Sequence, residues 1–280
     1  MTAIPGLHHV TAVCGPPKAN VDFYTGRLRQ RLIKKTVNFD DPTTYHLYYG
    51  TQDAASASIL TFFPFPDTRP GRAGAGMAGA FAYAVESLAE WGDGERTERF
   101  GEPVLILHDP DGLQVELVET GGDHGRFHGV TLLERDPEPT ARVLSDLFGY
   151  EAVGQEGDRM RFRAADGPAR VVDIVRTDER GVPGAGTIHH VAFRARDEAE
   201  HKNWRERVAA AGHDITPVID RQYFDALYFR EPGGVLFEIA TDTRGFAYDE
   251  PADTMGERLM LPPQYEPHRA EIERALPPLG

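Results

Sequence analysis

The stretch Leu7-His8-His9-Val10-Thr11-Ala12-Val13 recurs in shortened form as Ile188-His189-His190-Val191-Ala192-Phe193. Both stretches read as apolar strands that open with two adjacent histidines. A third strand, Gly233-Gly234-Val235-Leu236-Phe237-Glu238-Ile239, carries Glu238 48 positions after His190. Two imidazoles and one carboxylate are the ligand set of the facial triad that binds non-haem Fe(II). The pattern therefore predicts a metal-dependent enzyme that uses oxygen.

The composition sets limits on fold and partners. A chain of 280 residues, 40% of them hydrophobic, has room for two domains of about 140 residues, each with a normal core. The formal net charge of −14 disfavours nucleic acid and anionic membranes as partners, because phosphate contacts need clustered lysine and arginine. The single cysteine, Cys14, cannot form a disulfide within the chain, and no stretch reads as a signal peptide or membrane span. We therefore expect a cytoplasmic protein, and its assembly into a homo-oligomer stays open.

The opening strand occurs four times, with decreasing similarity to the histidine motif in two of the copies. These are the second copy, Gly79–Val85, and the third copy, Phe127–Leu133. Each copy begins a unit that reads as one strand, one helix and three strands. The second unit is shortened, since Ser87–Arg99 has room for only a stub of helix. We predict an α+β fold of four βαβββ units paired into two half-barrel domains. The predicted divisions are residues 1–122 with units one and two, residues 123–243 with units three and four, and a C-terminal tail at 244–280.

The other helices follow from apolar spacing and helix-end signals. In the fourth unit, Trp204, Val208 and Ala211 share one helical face, and Gly212 suits a helix end. The predicted helices are Ala19–Leu28, Pro139–Phe148, Glu198–Ala211 and Glu266–Ala275.

This organisation resembles the vicinal-oxygen-chelate superfamily, which includes glyoxalase I, extradiol dioxygenases and bleomycin-resistance proteins. The resemblance covers the whole chain and is closest to the ring-cleaving dioxygenases that act on hydroquinones. It is carried by the stretches Leu7–Thr11, Tyr45–Tyr49, Arg221–Phe224, Tyr228–Arg230, Pro232–Glu238 and Gly245–Phe246. The fold that it implies pairs βαβββ units into curved glyoxalase-like half-barrels around a metal cavity.

The resemblance implies that one iron ion is held by His9, His190 and Glu238. Mn(II) is an alternative, because the same ligand set suits both metals. These residues lie in the first and fourth units, so those two units are expected to share one cavity. The second and third units carry Phe81 and Gly129 at the histidine positions, and their cavity is therefore expected to be structural.

The resemblance also implies catalytic roles beside the metal. Tyr228 and Arg221 match residues near the substrate, and Tyr228 lies ten positions before Glu238 on the neighbouring strand of a hairpin, so it can face the same cavity. A phenol can hydrogen-bond a substrate hydroxyl, and a guanidinium can neutralise a bound phenolate. His8 alternates with His9 and points away from the metal if the strand is regular. It is included as a catalytic candidate that supports a ligand or touches the edge of the substrate.

Three further residues are candidates for substrate binding. Thr11 lies two positions after His9, on the same face of the strand, and is predicted to line the cavity. Phe224 belongs to a stretch that carries the resemblance, and His46 lies on a strand of the first unit, where a structural role is equally open. For His189 we favour a structural role.

The function implied is ring cleavage of a hydroquinone or catechol-type aromatic by an extradiol-type Fe(II) dioxygenase, with dioxygen as the second substrate. One alternative is a glyoxalase-type isomerase or lyase, which generally uses four protein ligands. The strand Ser58–Phe63 should supply the fourth ligand, and it contains no Glu, Asp, His or Gln. A second alternative is a metal-free small-molecule-binding protein, in which loss of the triad is expected, whereas here the triad is intact.

Overall fold

Sixteen strands and four short α-helices make up the part of the chain that a computed structural model describes, residues 3–122 and 124–279. The first unit contains β1 (Leu7–Cys14), α1 (Pro17–Val21), a π-helical turn at Asp22–Arg27, β2 (Arg31–Asn38), β3 (Asp41–Gly50) and β4 (Ile59–Pro64). The second contains β5 (Met77–Val85), a 3-10 turn at Leu88–Trp91, β6 (Glu95–Arg99), β7 (Glu102–His108) and β8 (Gln114–Glu119).

The second half of the chain repeats this order. The third unit contains β9 (Phe127–Glu134), α2 (Pro137–Arg142), a π-helical turn at Val143–Leu147, β10 (Glu151–Glu156), β11 (Arg159–Arg163) and β12 (Val171–Arg176). The fourth contains β13 (Thr187–Ala195), α3 (Glu198–Ala210), β14 (Ile219–Asp220), β15 (Asp225–Arg230) and β16 (Leu236–Thr241). The tail contains 3-10 turns at Phe246–Tyr248 and Glu266–His268, followed by α4 (Arg269–Ala275).

The α+β fold of four βαβββ units is confirmed, with differences at the helices. The first two predicted helices begin at Pro17 and Pro137, two residues earlier than expected, because proline suits the first turn of a helix. Helix α3 begins as predicted, and the carboxylate of its N-cap residue Asp197 accepts from the backbone N–H of Glu200. The second unit has lost its helix but keeps all three later strands, since Glu95–Arg99 forms β6.

The sheets do not follow the order of the units along the chain. One sheet has the strand order β14-β15-β16-β13-β1-β4-β3-β2, and the other has the order β10-β11-β12-β9-β5-β8-β7-β6. Units one and four therefore share a sheet, as do units two and three. This corrects the expectation that residues 1–122 and residues 123–243 each build one half-barrel. The physical reason is that β1 and β13, which carry the same apolar motif, pair antiparallel with each other. The chain boundaries at 122/123 and 243/244 stay a prediction.

The connector between units one and two lies against the connector between units three and four. Isolated bridges join Pro70 to Ala185 and Ala75 to Arg180. A side chain at Gly74 would place its Cβ 2.3 Å from the backbone nitrogen of Gly181. Glycine is therefore required there by the close approach of two backbones.

The tail packs on the first unit. The backbone N–H of Met260 donates to the carbonyl oxygen of Lys35 over 2.8 Å, beside a bridge between Lys35 and Leu259. Apolar side chains of the tail, including Ile272 and Leu276, bury Val37 of β2. The tail thereby covers one edge of the sheet that carries the histidine motifs.

A buried pair of carboxyl groups joins the two sheets, and it involves Glu134 of β9 and Glu231 of the turn before β16. Glu231 accepts from the hydroxyl of Thr140 and from the backbone N–H groups of Gly233 and Val235. These donors satisfy both carboxylate oxygens of Glu231. Burial and the charge of Glu231 raise the pKa of Glu134 to about 8. Glu134 therefore keeps its proton in the folded protein at neutral pH.

We expect the free energy of unfolding to fall as the pH rises from about 5 to about 9. In this window the folded state binds one proton more than the unfolded state, because the pKa of Glu134 is raised on folding, and stability is lost as pH approaches the folded pKa. Across this pH range, Glu134→Gln should reduce the change in the free energy of unfolding by about 1–3 kcal/mol, measured by urea unfolding at several pH values. Glu151→Gln, at an exposed position of β10, is the control. An unchanged pH slope in Glu134→Gln would contradict the assignment.

Candidate metal centre

Three side chains predicted as ligands converge at one point of the first sheet. Nε2 of His9 lies 3.3 Å from Nε2 of His190 and 3.4 Å from Oε2 of Glu238. Nε2 of His190 lies 2.9 Å from the same carboxylate oxygen. All three residues are buried, with exposures of 2%, 5% and 0% respectively. One ligand atom from each lies within 4.8 Å of the others.

Strand register explains why residues so distant in sequence meet. Thr11 of β1 is paired with His190 of β13, and Ala192 of β13 is paired with Glu238 of β16. Side chains two positions apart share a face of a strand, so the three ligands lie on the same face of neighbouring strands. The pairing of β1 with β13 is irregular between Leu7 and His9.

The other histidine of each pair supports its neighbour. Nδ1 of His8 lies 2.9 Å from Nδ1 of His9, and Nδ1 of His189 lies 2.8 Å from Nδ1 of His190. If His9 and His190 donate through Nδ1–H, their Nε2 atoms carry lone pairs that face Glu238. A hydrogen bond at the second ring nitrogen is the usual way in which a metal-binding histidine is held in one tautomer. His8 lies behind His9 and does not line the cavity described below, whereas His189 does.

The donor set fits a divalent cation. Both carboxylate oxygens of Glu238 are buried and accept no hydrogen bond from any described residue. Two imidazole nitrogens and an unpaired carboxylate facing one another without a cation would leave a buried charge uncompensated. Two nitrogens and one oxygen are the ligand types of non-haem iron and manganese sites.

The titration behaviour of the cluster follows from burial and proximity. Burial and the neighbouring His9 lower the pKa of His8 to about 4, and burial and His190 lower the pKa of His189 to about 4. Burial also lowers the pKa of His190, against the influence of Glu238. Burial opposes ionisation of Glu238, but the two histidines outweigh it and hold its pKa well below the usual value. Burial thus favours the neutral imidazoles of His8, His189 and His190, while Glu238 is held as a carboxylate.

A cavity of about 370 Å³ opens onto this cluster. The surface of its wall is mostly apolar, although many of the lining side chains also carry a polar group. Lining residues include His9, Thr11, Phe39, His46, Tyr48, Phe63, His190, Arg221, Phe224 and Tyr228. Aromatic rings beside the metal-binding group suit a small aromatic molecule.

Tyr228 and Arg221 lie together at the cavity. Tyr228 is paired with Glu238 in the β15–β16 register, and Nε of Arg221 donates to the Tyr228 hydroxyl over 3.3 Å. Nη1 of Arg221 lies 3.3 Å from Oδ2 of Asp40, which follows β2 at the opposite edge of the sheet. Burial and the charge of Glu238 raise the pKa of Tyr228 well above its ordinary value. Tyr228 therefore carries its proton at neutral pH.

Three side chains predicted to bind substrate, those of Phe224, Thr11 and His46, line the cavity but differ in their protein contacts. The ring of Phe224 packs 5.1 Å from that of His9 and lines the cavity. The hydroxyl of Thr11 lies 2.8 Å from that of Thr61. His46 also lines the cavity, but both of its ring nitrogens have protein partners, since Nε2 contacts Thr61 and Nδ1 contacts Tyr48, each over 2.9 Å.

Sequence reasoning missed Tyr48, Thr61 and Phe63 as parts of the site. Tyr48 lies within the stretch Tyr45–Tyr49 that carried the resemblance, and this was the one signal available for it. The strand of Thr61 and Phe63 was searched only for a fourth metal ligand. A hydroxyl in place of a carboxylate gives no recognisable pattern in sequence.

Comparison with known proteins decides the family. A family model described as Glyoxalase/Bleomycin resistance protein/Dioxygenase superfamily matches residues 126–239. The chain is 45% identical over 299 residues to MhqO of Bacillus subtilis (strain 168), with 98% of this chain and 96% of the relative covered. The name of that relative assigns it provisionally to the ring-cleaving dioxygenases. The chain belongs to this superfamily.

Two further similarities locate the chain within the superfamily. It is 30% identical over 310 residues to the chlorohydroquinone/hydroquinone 1,2-dioxygenase of Sphingobium indicum, covering 98% of this chain and 96% of the relative. A crystal structure of a Bacillus subtilis protein, provisionally named a dioxygenase, matches with a TM-score of 0.95 at 44% identity over 100% of this chain and 99% of that one. The predicted resemblance is thereby confirmed. Glyoxalase I from Zea mays shares the fold, with a TM-score of 0.66 at 15% identity over 85% of this chain and 93% of that one.

The second sheet of this superfamily member has no equivalent cluster among the residues that the structure describes. Its register places Ala80 and Gly129 where the first sheet has His9 and His190. Ala80 corrects the prediction of Phe81. Glu116 is paired with Ala82 as Glu238 is paired with Ala192, so the histidine position, two residues earlier on the strand, is Ala80. Phe81 instead lies in the core.

Ion pairs occupy the corresponding space in the second sheet. Glu116 of β8 and Asp173 of β12 lie at the repeat position of Glu238. Glu116 pairs with Arg99, and Asp173 pairs with Arg161 over 2.8 Å. The remaining cavity there measures about 10 Å³. The arginines thus provide the positive charge that balances these carboxylates.

Among the described residues, no helix combines the length and apolarity that a membrane crossing requires.

Proposed function

We propose that this protein is an extradiol-type, Fe(II)-dependent dioxygenase that opens the ring of a hydroquinone or catechol-type aromatic. The observation that carries the proposal is the convergence of His9, His190 and Glu238 beside a cavity that His9, His190 and several aromatic side chains line. The names of the relatives support ring cleavage. In the reaction, both atoms of dioxygen enter the product and one ring carbon–carbon bond beside a hydroxylated carbon breaks.

His9, His190 and Glu238 would hold the metal, with Mn(II) as the alternative to Fe(II). When bound, such a metal brings an ionised phenol and dioxygen together and allows electrons to pass from the ring to oxygen. His8 and His189 keep the two ligand imidazoles in the tautomer that presents Nε2. In this proposal His8 acts through His9 and not by contact with the substrate.

Arg221 and Tyr228 provide charge and a proton at the cavity wall. The guanidinium of Arg221 donates to the Tyr228 hydroxyl, so the phenol hydrogen of Tyr228 is free to point toward a bound oxygen atom. Arg221 lies close enough to share the negative charge of a phenolate. The ring of Phe224 and the other aromatic walls exclude water and hold the plane of the substrate.

The position of Thr61 favours this function over a glyoxalase-type reaction. Thr61 of β4 is paired with Thr11 in the way that Glu238 is paired with Ala192, so it occupies the place where a fourth ligand of a symmetric site would lie. Its hydroxyl is engaged by Thr11 and His46. Three protein ligands leave more of the metal open to substrate and dioxygen than four.

The test is oxygen uptake by protein loaded anaerobically with Fe(II) and mixed with hydroquinone, chlorohydroquinone, methylhydroquinone or catechol. We expect one dioxygen consumed per ring opened, and a loss of at least about a hundredfold in His190→Ala, since even a residue that merely supports a metal ligand changes activity by up to that factor. His268→Ala, an exposed histidine of the tail, should retain wild-type uptake.

If the protein binds one metal ion tightly per chain but consumes no oxygen with any of these substrates, the proposal is contradicted. A hemithioacetal isomerisation assay on the same loaded protein then tests the glyoxalase-type alternative. Absence of tight metal binding would instead favour a small-molecule-binding protein without a metal.

A further inference from the structure

A chain of hydrogen-bonding groups runs along the cavity wall and ends beside the metal centre. The Tyr48 hydroxyl lies 2.9 Å from Nδ1 of His46, and Nε2 of His46 lies 2.9 Å from the Thr61 hydroxyl. The Thr61 hydroxyl lies 2.8 Å from that of Thr11. Tyr48 and both threonines are almost fully buried. Buried hydroxyl groups need partners for their hydrogens, so the direction of each bond is constrained by its neighbours.

Counting hydrogens shows that one of them is left over. The three hydroxyls carry one hydrogen each, and a neutral imidazole carries one, whereas the chain contains three contacts. Burial lowers the pKa of His46 well below its ordinary value, so the neutral ring applies. A hydroxyl can accept two hydrogen bonds, so the spare hydrogen could sit on Tyr48, Thr61 or Thr11. Thr61 does not line the cavity, and its described partners are only Thr11 and His46, so a spare hydrogen there would be buried without an acceptor. This leaves the two ends of the chain, Tyr48 and Thr11.

The chemistry of the two ends selects Thr11. A phenol is a stronger donor and a weaker acceptor than an aliphatic hydroxyl, and an unprotonated imidazole nitrogen is a good acceptor. Tyr48 therefore donates to Nδ1 of His46, His46 donates through Nε2–H to Thr61, and Thr61 donates to Thr11. Thr11 then has its own hydrogen free, two residues from His9 on a strand that lines the cavity.

We propose that Tyr48, His46 and Thr61 are positioning residues that turn the hydroxyl hydrogen of Thr11 toward an oxygen atom of the bound aromatic. The proposal rests on the proposed function for the identity of that aromatic, but the direction of the chain is a property of the protein alone. It assigns to Thr11 the recognition of an oxygen acceptor, such as a phenolate. It also gives His46 a role without direct contact between its nitrogens and the substrate.

The ring packing supports this assignment. The imidazole of His46 packs against two aromatic rings, with centroids 4.1 Å from that of Tyr48 and 4.3 Å from that of Phe63. A ring packed against two aromatic neighbours and bonded at both nitrogens cannot turn to exchange partners without breaking these contacts. The direction of the chain is therefore built into the folded protein before any ligand binds.

The first test measures the tautomer of His46 by nitrogen NMR of protein with isotope-labelled histidine, with His46→Gln used to assign the signal. We expect the hydrogen on Nε2 in the unliganded, metal-free protein, and a mixture of tautomers in Tyr48→Phe. Tyr49→Phe is the matched control, because it also removes a buried tyrosine hydroxyl, whose partner is Asn20. A hydrogen on Nδ1 of His46 in the wild type would overturn the proposal. This readout does not depend on enzyme activity.

The second test measures the Kd of hydroquinone for the metal-loaded protein by calorimetry without oxygen. We expect Tyr48→Phe to weaken binding about tenfold, the effect of one hydrogen bond, and Tyr49→Phe to leave it unchanged. Thr11→Val should weaken binding at least as much. In the double variant Tyr48→Phe/Thr11→Val, the effect of Tyr48→Phe should disappear, because the group that it orients is absent.

The outcomes separate this proposal from the proposed function. Equal Kd values for Tyr48→Phe and the wild type, or effects of Tyr48→Phe and Thr11→Val that simply add, would overturn the positioning role. A His46 tautomer as expected together with absent oxygen uptake would contradict ring cleavage while leaving the hydrogen-bond chain in place. Oxygen uptake with ring opening, together with a hydrogen on Nδ1 of His46, would support ring cleavage and overturn the hydrogen-bond chain.

Discussion

Glu238→Gln is expected to remove most of the affinity for the metal and to destabilise the metal-free protein. The substitution replaces an anionic ligand by a neutral amide, so we expect metal affinity to fall by at least about a hundredfold, and oxygen uptake with it. In the metal-free protein, His9 and His190 hold the pKa of Glu238 well below its usual value, so folding favours the ionised carboxylate. Loss of this carboxylate should lower the free energy of unfolding at pH values above the ordinary pKa of a glutamate.

The second sheet offers a matched control for this experiment. Glu116→Gln changes the same residue type at the same repeat position, but Glu116 pairs with Arg99 and accepts from the side-chain amide of Gln114. We expect unchanged metal content and a loss of stability, because Arg99 is left without its partner. Metal content is measured by elemental analysis after reconstitution, and stability by urea unfolding. Wild-type metal affinity in Glu238→Gln, or loss of metal from Glu116→Gln, would refute the assigned role.

Lys34→Met is expected to destabilise the protein by about 3–5 kcal/mol, because it leaves a buried carboxylate without its cation. Lys34 of β2 is 0% exposed, and its ammonium group pairs with the fully buried Glu250 of the tail. It also lies 2.7 Å from Oδ1 of Asp249 and 4.9 Å from the ring centroid of Tyr223. This cluster attaches the tail to the sheet that carries the metal centre.

The control for Lys34→Met is Lys18→Met, which breaks an exposed pair with Asp22 and should cost less than about 1 kcal/mol. A double variant, Lys34→Met/Glu250→Leu, should recover part of the loss, because no buried charge remains unpaired. Urea unfolding gives the three free energies, and limited proteolysis reports release of the tail. A cost for Lys34→Met no larger than that for Lys18→Met would show that the cluster does not hold the tail.

The loop that follows β14 connects this cluster to the site. Asp249 accepts from the side-chain amide of Gln222 and from the hydroxyl of Tyr223. Gln222 has a φ of +66°, a left-handed conformation that is costly outside glycine. The contacts of Asp249 therefore help to hold the loop whose neighbouring residues, Arg221 and Phe224, reach the cavity.

Much of the architecture was predictable from sequence because it follows local periodicity. The repeated histidine motif and the alternation of apolar residues predicted four βαβββ units, and helix α3 was predicted to within one residue. The convergence of His9, His190 and Glu238 was anticipated from the resemblance. The helix starts at Pro17 and Pro137 were missed, although proline at the first turn is itself a sequence signal.

The remaining features depend on register and on the order of strands. Pairing of β1 with β13 places unit one beside unit four, which the order of residues along the chain does not specify. The pairing of Ala82 with Glu116 is what assigns Ala80, and not Phe81, to the histidine position of the second sheet. The contacts of His8 with His9 and of His46 with Thr61 require neighbouring rings and hydroxyls to meet within hydrogen-bonding distance.

The repeating units and the apolar alternation of their strands could be predicted from the sequence because they depend on spacing within short segments, and the resemblance supplied His9, His190 and Glu238 as ligands. Strand pairing was needed to show which units share a sheet and that Tyr48, His46, Thr61 and Thr11 form one chain. Those features depend on strand pairing across as many as 181 positions, where a shift of one residue turns a side chain to the opposite face.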